Sequence, residues 1–129
     1  MTVPSAQAPA EAFVAALATR DYDAMAATMH SDIAFRALLP SRIAEHANAA
    51  AVINEMRGWF DDASDFKMLD SVVEHFVDRS RIWFRIQLRD DDGWAVVEQT
   101  AFCADDDGGM TLMNLVCSGW RATDDPGTA

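Results

Sequence analysis

Hydrophobic residues in the first half of the chain recur with the period of an α-helix. Pro9 suits the first turn of one helix, Asp21 is the predicted N-cap of a second helix that runs to about His30, and Asn48 precedes a third. The apolar stripes of the first and third helices are Ala10, Phe13, Val14 and Leu17, and Val52, Ile53, Met56, Trp59 and Phe60. Their i, i+3, i+4, i+7 spacing predicts amphipathic helices that bury one face.

The second half of the chain alternates apolar and polar residues with a period of two. Four strands are predicted there, at Phe66–Phe76, Arg81–Arg89, Trp94–Ala104 and Met110–Trp120. The connections "VDRS", "DDDG" and "DDDGG" have the length and composition of hairpin turns. An earlier strand is predicted at Ile33–Pro40, and Ser41–His46 is predicted to be a loop with about one turn.

This order of elements predicts an α+β domain. Three N-terminal helices are expected to pack in a strongly curved antiparallel sheet that forms a cone, because the helices must cover one face of the long strands. Residues 9–121 are assigned to this single domain. Residues 1–8 and 122–129 are expected to be a disordered N-terminus and tail.

Charge and cysteine content limit the classes of partner and cofactor that the protein is expected to bind. The formal net charge of −11 argues against nucleic acid, whose binding requires a basic surface, and no stretch is long enough for a membrane span. The start of the chain lacks the pattern of a secretory signal, so a cytoplasmic location is expected. Cys103 and Cys117 belong to no metal-ligand or redox motif and are expected to be free, buried thiols. No metal or nucleotide cofactor is expected.

The stretch "GWAVVEQTAFC" places a carboxylate within an apolar row. Glu98 shares its strand face with Val96 and Thr100 at a spacing of two. If that face points into the cone, desolvation moves the glutamate toward the pKa of a useful general acid or base. Arg85 can oppose Glu98 across the hairpin and orient a substrate oxygen. The alternatives are a structural ion pair or a row that faces solvent or a partner subunit.

The order helix, short helix, strand, helix and four long strands resembles the nuclear transport factor 2-like superfamily, and within it the SnoaL-like domains. The segments that carry the resemblance are "FVAALATRDYDAMAATMHSDIAFRA" and "DDGGMTLMNLVCSGW", and it spans about residues 10–121. The superfamily includes isomerases, cyclases, dehydratases, epoxide hydrolases and non-catalytic binding modules. The resemblance therefore implies a fold and a class of small-molecule site, but no single reaction.

Only some catalytic residues of known superfamily members have counterparts in this sequence. Ala37 and Thr100 occupy the two acidic positions of ketosteroid isomerases, so steroid-type enolisation is not implied. His75, in "EHFV", resembles a strand histidine of scytalone dehydratase, and limonene-type epoxide hydrolases need an arginine and two acids, of which Arg85 and Glu98 are present. An asparagine replaces the second acid.

We therefore predict a cofactor-free acid–base enzyme of SnoaL-like type that acts on a hydrophobic polyketide- or terpenoid-like molecule. The alternative is a non-catalytic small-molecule-binding or dimerisation module of the same fold. The predicted catalytic residues are Glu98, Arg85 and His75, and the predicted ligand-contacting residues are Phe13, Leu17, Tyr22, Met25, Phe35, Met56, Trp59, Phe60, Trp83, Val96, Thr100 and Phe102. A homodimer is expected through the outer sheet face, which is assigned to Ala95, Val97 and Ala101.

Overall fold

Three helices and seven strands make up the part of the chain that this computed structural model describes, residues 8–127. The helices are α1 (Pro9–Ala18), α2 (Tyr22–Ala27) and α3 (Ala49–Phe60). The strands are β1 (Met29–Leu39), β2 (Arg42–His46), β3 (Asp65–His75), β4 (Ser80–Asp90), β5 (Gly93–Asp106), β6 (Gly109–Cys117) and β7 (Arg121–Ala122). The α+β class is confirmed.

The strands form one curved sheet that does not close. Their order is β2-β1-β6-β5-β4-β3, so β2 and β3 are the two edges, and β7 adds to β5. The β1–β6 pair is parallel and the other pairs are antiparallel. Helix α1 packs against β3, β4 and β6, whereas α3 packs against β1 and β2. The helices therefore lie inside the curve of the sheet, as the sequence predicts.

The helix starts follow the predicted caps. Pro9 begins α1, the side chain of Asp21 accepts a hydrogen bond from Ala24 N at 3.1 Å, and Asn48 accepts one from Ala51 N at 2.8 Å. The predicted end of the second helix near His30 is wrong, because α2 ends at Ala27 and β1 begins two residues later. Pairing of the chain with β6 outweighs the local helical pattern at this point.

The prediction of a loop at Ser41–His46 is also wrong. Residues Arg42–His46 form β2, which folds back on β1 in a register that places Leu39 opposite Arg42 and Phe35 opposite His46. Only five residues alternate in this strand, and Pro40 with Ser41 supplies the turn. A run this short gives little periodicity, so the pairing with β1 decides its structure.

The predicted meander of β3 to β6 is present, and its last hairpin depends on a glycine. Gly109 has a φ of 118°, and a Cβ atom there would lie 2.8 Å from the carbonyl oxygen of Thr28. That same oxygen accepts a hydrogen bond from Met110 N. Beyond β6, Ala122 pairs with β5 and Thr123 N donates to the carbonyl of Trp94, although the sequence assigns both residues to the tail.

The interior between helices and sheet is filled by large apolar side chains. Those that are almost completely buried include Phe13, Leu17, Met25, Ile33, Met56, Phe60, Ile82, Phe84, Ile86, Leu88, Met110 and Met113. Aromatic rings are in contact across this core. The ring centroids of Phe35 and Trp59 are 6.4 Å apart, and those of Phe60 and Trp120 are 5.9 Å apart. Such dense packing is the normal state of a protein core.

One arginine links the end of α1 to the C-terminal end of α3. Arg20 lies two residues beyond α1 and has a left-handed backbone (φ 51°), and its Nη1 donates to the carbonyl oxygens of Phe60 and Ala63, each at 2.9 Å. Its guanidinium also lies 4.8 Å from the ring centroid of Phe66. The carbonyl at the C-terminal end of α3 and one just beyond it thereby gain a charged donor, and the Phe60 oxygen also accepts from Ala63 N at 3.3 Å.

We predict that Arg20→Met lowers the free energy of unfolding by about 1.5–3 kcal/mol, the usual range for hydrogen bonds that involve a charged group. Urea unfolding followed by circular dichroism measures this change. Arg36→Met is the matched control, because Arg36 and Glu45 form an exposed pair at 3.7 Å and such pairs contribute less than about 1 kcal/mol. Equal losses in both variants would contradict the role of Arg20.

Candidate functional site

The face of β5 that lies inside the cone is the opposite of the predicted one. The buried residues of the strand are Ala95, Val97, Gln99, Ala101 and Cys103. The reason is the pairing with β4, whose bulky apolar residues must face the helices. Opposite residues share a face, so Phe84 brings Gln99 inward and Ile82 brings Ala101 inward. The row that contains Glu98 therefore faces outward.

Glu98 and Arg85 do form the predicted pair, but on the outer face. The two residues lie opposite each other in the register, and Arg85 Nε donates to Glu98 Oε1 at 2.7 Å. The Arg85 guanidinium also lies 5.3 Å from the ring centroid of Trp83. Both charged side chains keep partial solvent contact, and the predicted ligand-contacting residues on the same face are Trp83, Val96, Thr100 and Phe102. A catalytic role for the pair stays a prediction.

The other predicted ligand-contacting residues belong to the core. Those on the helices and β1 that are buried are Phe13, Leu17, Tyr22, Met25, Phe35, Met56 and Phe60, and Trp59 is partly buried. Tyr22 lies beneath the guanidinium of Arg57 at 4.4 Å, and burial together with the nearby charge of Asp61 raises the pKa of its hydroxyl. These side chains fill the cone and pack against one another.

His75, the third predicted catalytic residue, joins α1 to the β3–β4 hairpin. Its Nε2 lies 2.6 Å from Glu11 Oε2, and its Nδ1 lies 3.0 Å from the hydroxyl of Ser80. Both ring nitrogens are thus engaged, and Ser80 is buried. The structure does not bring His75 together with Glu98 or Arg85, since it lies on the inner side of the sheet near one edge.

A polar cluster that the sequence did not indicate lies between β2 and α3. Glu55 accepts hydrogen bonds from Arg42 Nη2 at 2.5 Å and Trp59 Nε1 at 2.8 Å, and its Oε1 lies 3.0 Å from His46 Nε2. The Glu55 side chain is only 11% exposed. Burial raises the pKa of this carboxyl, but the hydrogen bonds from Arg42, His46 and Trp59 outweigh it and hold the pKa below its usual value.

His46 lies between two surface grooves. One, of about 480 Å³, is lined by Phe35, Arg36, Leu112 and other residues of β1, β2 and β6, and the second, of about 450 Å³, extends over α3 to Trp59. The imidazole stacks on the ring of Phe35, with centroids 5.9 Å apart. Among residues 8–127 its Nδ1 has no hydrogen-bond partner. Glu55 thus fixes Nε2 of His46 and leaves Nδ1 available to a molecule in the groove.

The alternation in "RIAEH" was the signal that could have found this site. Arg42, Ala44 and His46 share one face of a strand, and that face points to α3 once β2 is formed. The sequence predicts a loop here, and a loop gives no reason to assign a role to His46. Its partner Glu55 follows only from the packing of α3 on β2, which no local pattern indicates.

Other chemistry is limited in the described part of the chain. Cys103 and Cys117 are free and buried, as predicted, and burial with the nearby Asp105 raises the pKa of the Cys103 thiol to about 12. No group of three or more potential ligand side chains within residues 8–127 is arranged for a metal ion. The absence of a cofactor stays a prediction. None of the described helices has the length and apolar character required to cross a membrane.

Comparison with solved structures identifies the fold. A proposed polyketide cyclase from Xanthomonas campestris pv. campestris superposes with a TM-score of 0.66 at 21% identity, covering 84% of this chain and 86% of that one. An NTF2-like protein of unknown function from Burkholderia pseudomallei gives a TM-score of 0.68 at 11% identity, with 83% and 86% coverage. The chain has the NTF2-like fold. The structural resemblance predicted from the sequence is confirmed.

TerC co-crystallised with polyporic acid also superposes on this chain, with a TM-score of 0.66 at 15% identity, covering 83% of this chain and 86% of that one. No family model matches the sequence, and no curated protein matches it. At such low identities the shared feature is the fold alone. The fold does not determine the activity, which depends on the residues of this chain itself.

We predict that Glu55→Gln destabilises the protein by about 1–3 kcal/mol at pH 7, because it weakens charge-assisted hydrogen bonds in a mostly buried cluster. The pKa of Glu55 is lowered from its usual 4.5 in the folded state, so its contribution is present above that pH and is lost as the pH falls through the folded-state pKa. Urea unfolding at several pH values should show the difference from wild type shrinking in acid.

Glu98→Gln is the matched comparison, since it makes the same change in a partly exposed pair. We expect a loss below about 1 kcal/mol for it. A Glu55→Gln variant as stable as wild type at pH 7 would show that the cluster is not an organised site.

Proposed function

We propose that this protein binds a small, largely apolar molecule in the groove beside His46 and moves a proton through that histidine. The observation that carries the proposal is a histidine in the wall of a groove that is held by a mostly buried carboxylate and whose Nδ1 has no hydrogen-bond partner within residues 8–127. A positioned imidazole is the commonest general acid or base in enzymes. Glu55 would orient the ring through its hydrogen bond with Nε2.

The composition of the groove suits such a ligand. Phe35 and Leu112 supply apolar walls, and Arg36, Glu45 and Asn114 supply polar groups at the rim. A volume of about 480 Å³ lies within the range of small-molecule sites, which are typically apolar with a few polar groups. These features support a hydrophobic polyketide- or terpenoid-like substrate, in keeping with the neighbour co-crystallised with polyporic acid.

The reaction class that the cluster supports best is proton transfer at a carbon next to a carbonyl. In the proposed step, His46 Nδ1 takes the proton from that carbon, and the C–H bonding electrons move toward the carbonyl to give an enolate. Return of the proton to another position of the enolate completes an isomerisation. Arg36 is the cation of the groove that could stabilise the enolate oxygen.

The groove is also compatible with the alternative function, ligand binding without catalysis. A protein that holds its ligand beside His46 without turnover would be the non-catalytic binding module that the fold equally allows. The two functions differ in one observable: a catalyst accelerates the exchange of carbon-bound hydrogen, whereas a binding module does not. A cytoplasmic location and the lack of nucleic-acid and membrane partners also stay predictions.

The test is exchange of the α-hydrogens of a cyclic ketone such as indanone in deuterium oxide, followed by proton NMR. We expect wild-type protein to accelerate exchange and His46→Gln to lower that acceleration by roughly 10²-fold or more. Glu55→Gln should lower it less, by roughly tenfold, because the imidazole remains. His30→Gln, a change of the same kind outside the cluster, should leave the rate unaltered.

Three results would contradict this assignment. Acceleration that survives in a folded His46→Gln variant removes the proposed base. A loss of rate in His75→Gln or Glu98→Gln, with His46→Gln active, would place the chemistry at the residues predicted from the sequence. Binding of the ketone without any exchange, measured in the same titrations, would favour the non-catalytic module.

We further propose that the outer sheet face forms a homodimer. The predicted face was reversed, because Ala95, Val97 and Ala101 lie inside the cone. On the true outer face a row of directly paired residues crosses all six strands of the main sheet: Ile43, Leu38, Val116, Thr100, Trp83 and Val72. Several are well exposed despite their size, and such a patch is typical of an interface.

Val116→Lys should therefore shift the protein toward monomer, since it places a charge at the centre of this row. Light scattering coupled to size-exclusion chromatography measures the mass against the 14.2 kDa monomer. Val77→Lys is the control, because Val77 is fully exposed in the β3–β4 turn, away from the row. A wild-type monomer at micromolar concentration would contradict the proposal.

A further inference from the structure

A carboxylate, a histidine and a serine hydroxyl are connected in series where α1 crosses the β3–β4 hairpin. Glu11 Oε2 lies 2.6 Å from His75 Nε2, and His75 Nδ1 lies 3.0 Å from Ser80 Oγ. This is the order of groups that activates a serine as a nucleophile, because the acid orients the imidazole and the imidazole accepts the hydroxyl proton. None of the three residues lines the grooves beside His46.

The fold brings the three residues together from distant parts of the chain. His75 is the last residue of β3 and Ser80 is the first of β4, and the two are directly paired, so their side chains share the inner face of the sheet. Helix α1 packs on these two strands and carries Glu11 in its first turn. The sheet register thus fixes the contact between histidine and serine, and helix packing adds the acid.

Glu11 determines which ring nitrogen of His75 can accept a proton. An ionised carboxylate only accepts hydrogen bonds, so the neutral ring carries its hydrogen on Nε2 and its lone pair on Nδ1 faces the Ser80 hydroxyl. The other carboxylate oxygen, Oε1, is buried and has no hydrogen-bond partner within residues 8–127. The two ring nitrogens have exchanged the places that they hold in serine proteases, but imidazole transfers a proton from either one.

A cavity beside this series of groups has the size of a small acyl compound. Its volume is about 250 Å³, and it is lined by His75, Phe76, Val77, Asp78, Arg79, Ser80 and Asp105. The two aspartates disfavour an anionic ligand, whereas Arg79 is the cation of the lining that could stabilise an oxyanion. Ser80 is only 3% exposed, so a reactant must enter this cavity to approach it. The lining therefore suits a small neutral ester with a short acyl chain.

We propose that Ser80 is the nucleophile of a second active site, which hydrolyses such esters. Ser80 Oγ forms a bond to the ester carbonyl carbon while its proton passes to His75 Nδ1. The bond to the alcohol oxygen then breaks, the alcohol leaves with the proton from Nδ1, and the acyl group stays on Ser80. Water attacks this acyl group as Nδ1 takes one of its protons, and the acid leaves while that proton returns to Ser80 Oγ.

Ser80 and His75 are the catalytic residues of this site, whereas Glu11 is a positioning residue. Glu11 acts on the reaction only through the ring of His75, to which its Oε2 is hydrogen-bonded. The site does not depend on the proton transfer proposed for His46, since the two share no residue.

The first experiment locates the reactive serine. Wild-type protein is treated with diisopropyl fluorophosphate, which phosphorylates activated serines, and the modified peptide is identified by mass spectrometry. We expect the label on Ser80, and in Glu11→Gln we expect it to form roughly tenfold more slowly, because the ring loses its orienting acid. Ser71→Ala removes an exposed serine of β3 and is the control that should leave labelling unchanged.

The second experiment measures hydrolysis of p-nitrophenyl acetate by absorbance. We expect Ser80→Ala and His75→Gln to lower kcat/KM by roughly 10²-fold or more. Glu11→Gln should lower kcat roughly tenfold and leave KM unchanged, since Glu11 does not contact the ester. His46→Gln and Ser71→Ala should hydrolyse the ester as wild type does. Thermal unfolding followed by circular dichroism confirms that each variant is folded.

Four outcomes would overturn the proposal. One is hydrolysis by wild-type protein that is no faster than in buffer. Another is full activity in folded Ser80→Ala, and a third is a fluorophosphate label on a different serine or on none. The fourth is a Glu11→Gln variant that melts at a lower temperature but is labelled as fast as wild type, which would make Glu11 a structural contact only.

Discussion

The pairing of β4 with β5 is the constraint on which the arrangement of this molecule depends. Strand β4 carries a continuous apolar row that must be buried against the helices, and this row includes Phe84 and Ile86. Because directly opposite residues share a face, the burial of β4 decides the orientation of every side chain on β5. It sends Gln99 inward and Glu98 outward. The register between β4 and β5 thus decides which of the two residues is buried and which can contact solvent or a partner.

A second pairing creates the groove site. The turn at Pro40 folds β2 onto β1, and the helix that follows then crosses β2. His46 and Glu55 are thereby brought within 3.0 Å of each other. Three donors converge on the carboxylate, which stays ionised and holds the imidazole. The short strand β2 thus supplies both a wall of the groove and the residue proposed to act in it.

Each face of the sheet has one feature that departs from the usual pattern of apolar residues inside and polar residues outside. Inside, the amide nitrogen of Gln99 has no hydrogen-bond partner among residues 8–127. Outside, an apolar row centred on Val116 stays exposed between charged neighbours. Exposed apolar rows and unpaired buried donors both cost stability in an isolated monomer. A second subunit on the outer face would remove the cost of the exposed row.

The sequence by itself determined the helices at Pro9 and Asn48, the long strands of the meander and hence the fold, because periodicity and caps are local signals. It also predicted the contact between Arg85 and Glu98, since hairpin turns fix which residues oppose each other. It could not decide which face of β5 is buried, because both rows of that strand are largely apolar. That choice, like the meeting of His46 with Glu55, was decided only when the helices packed against the sheet.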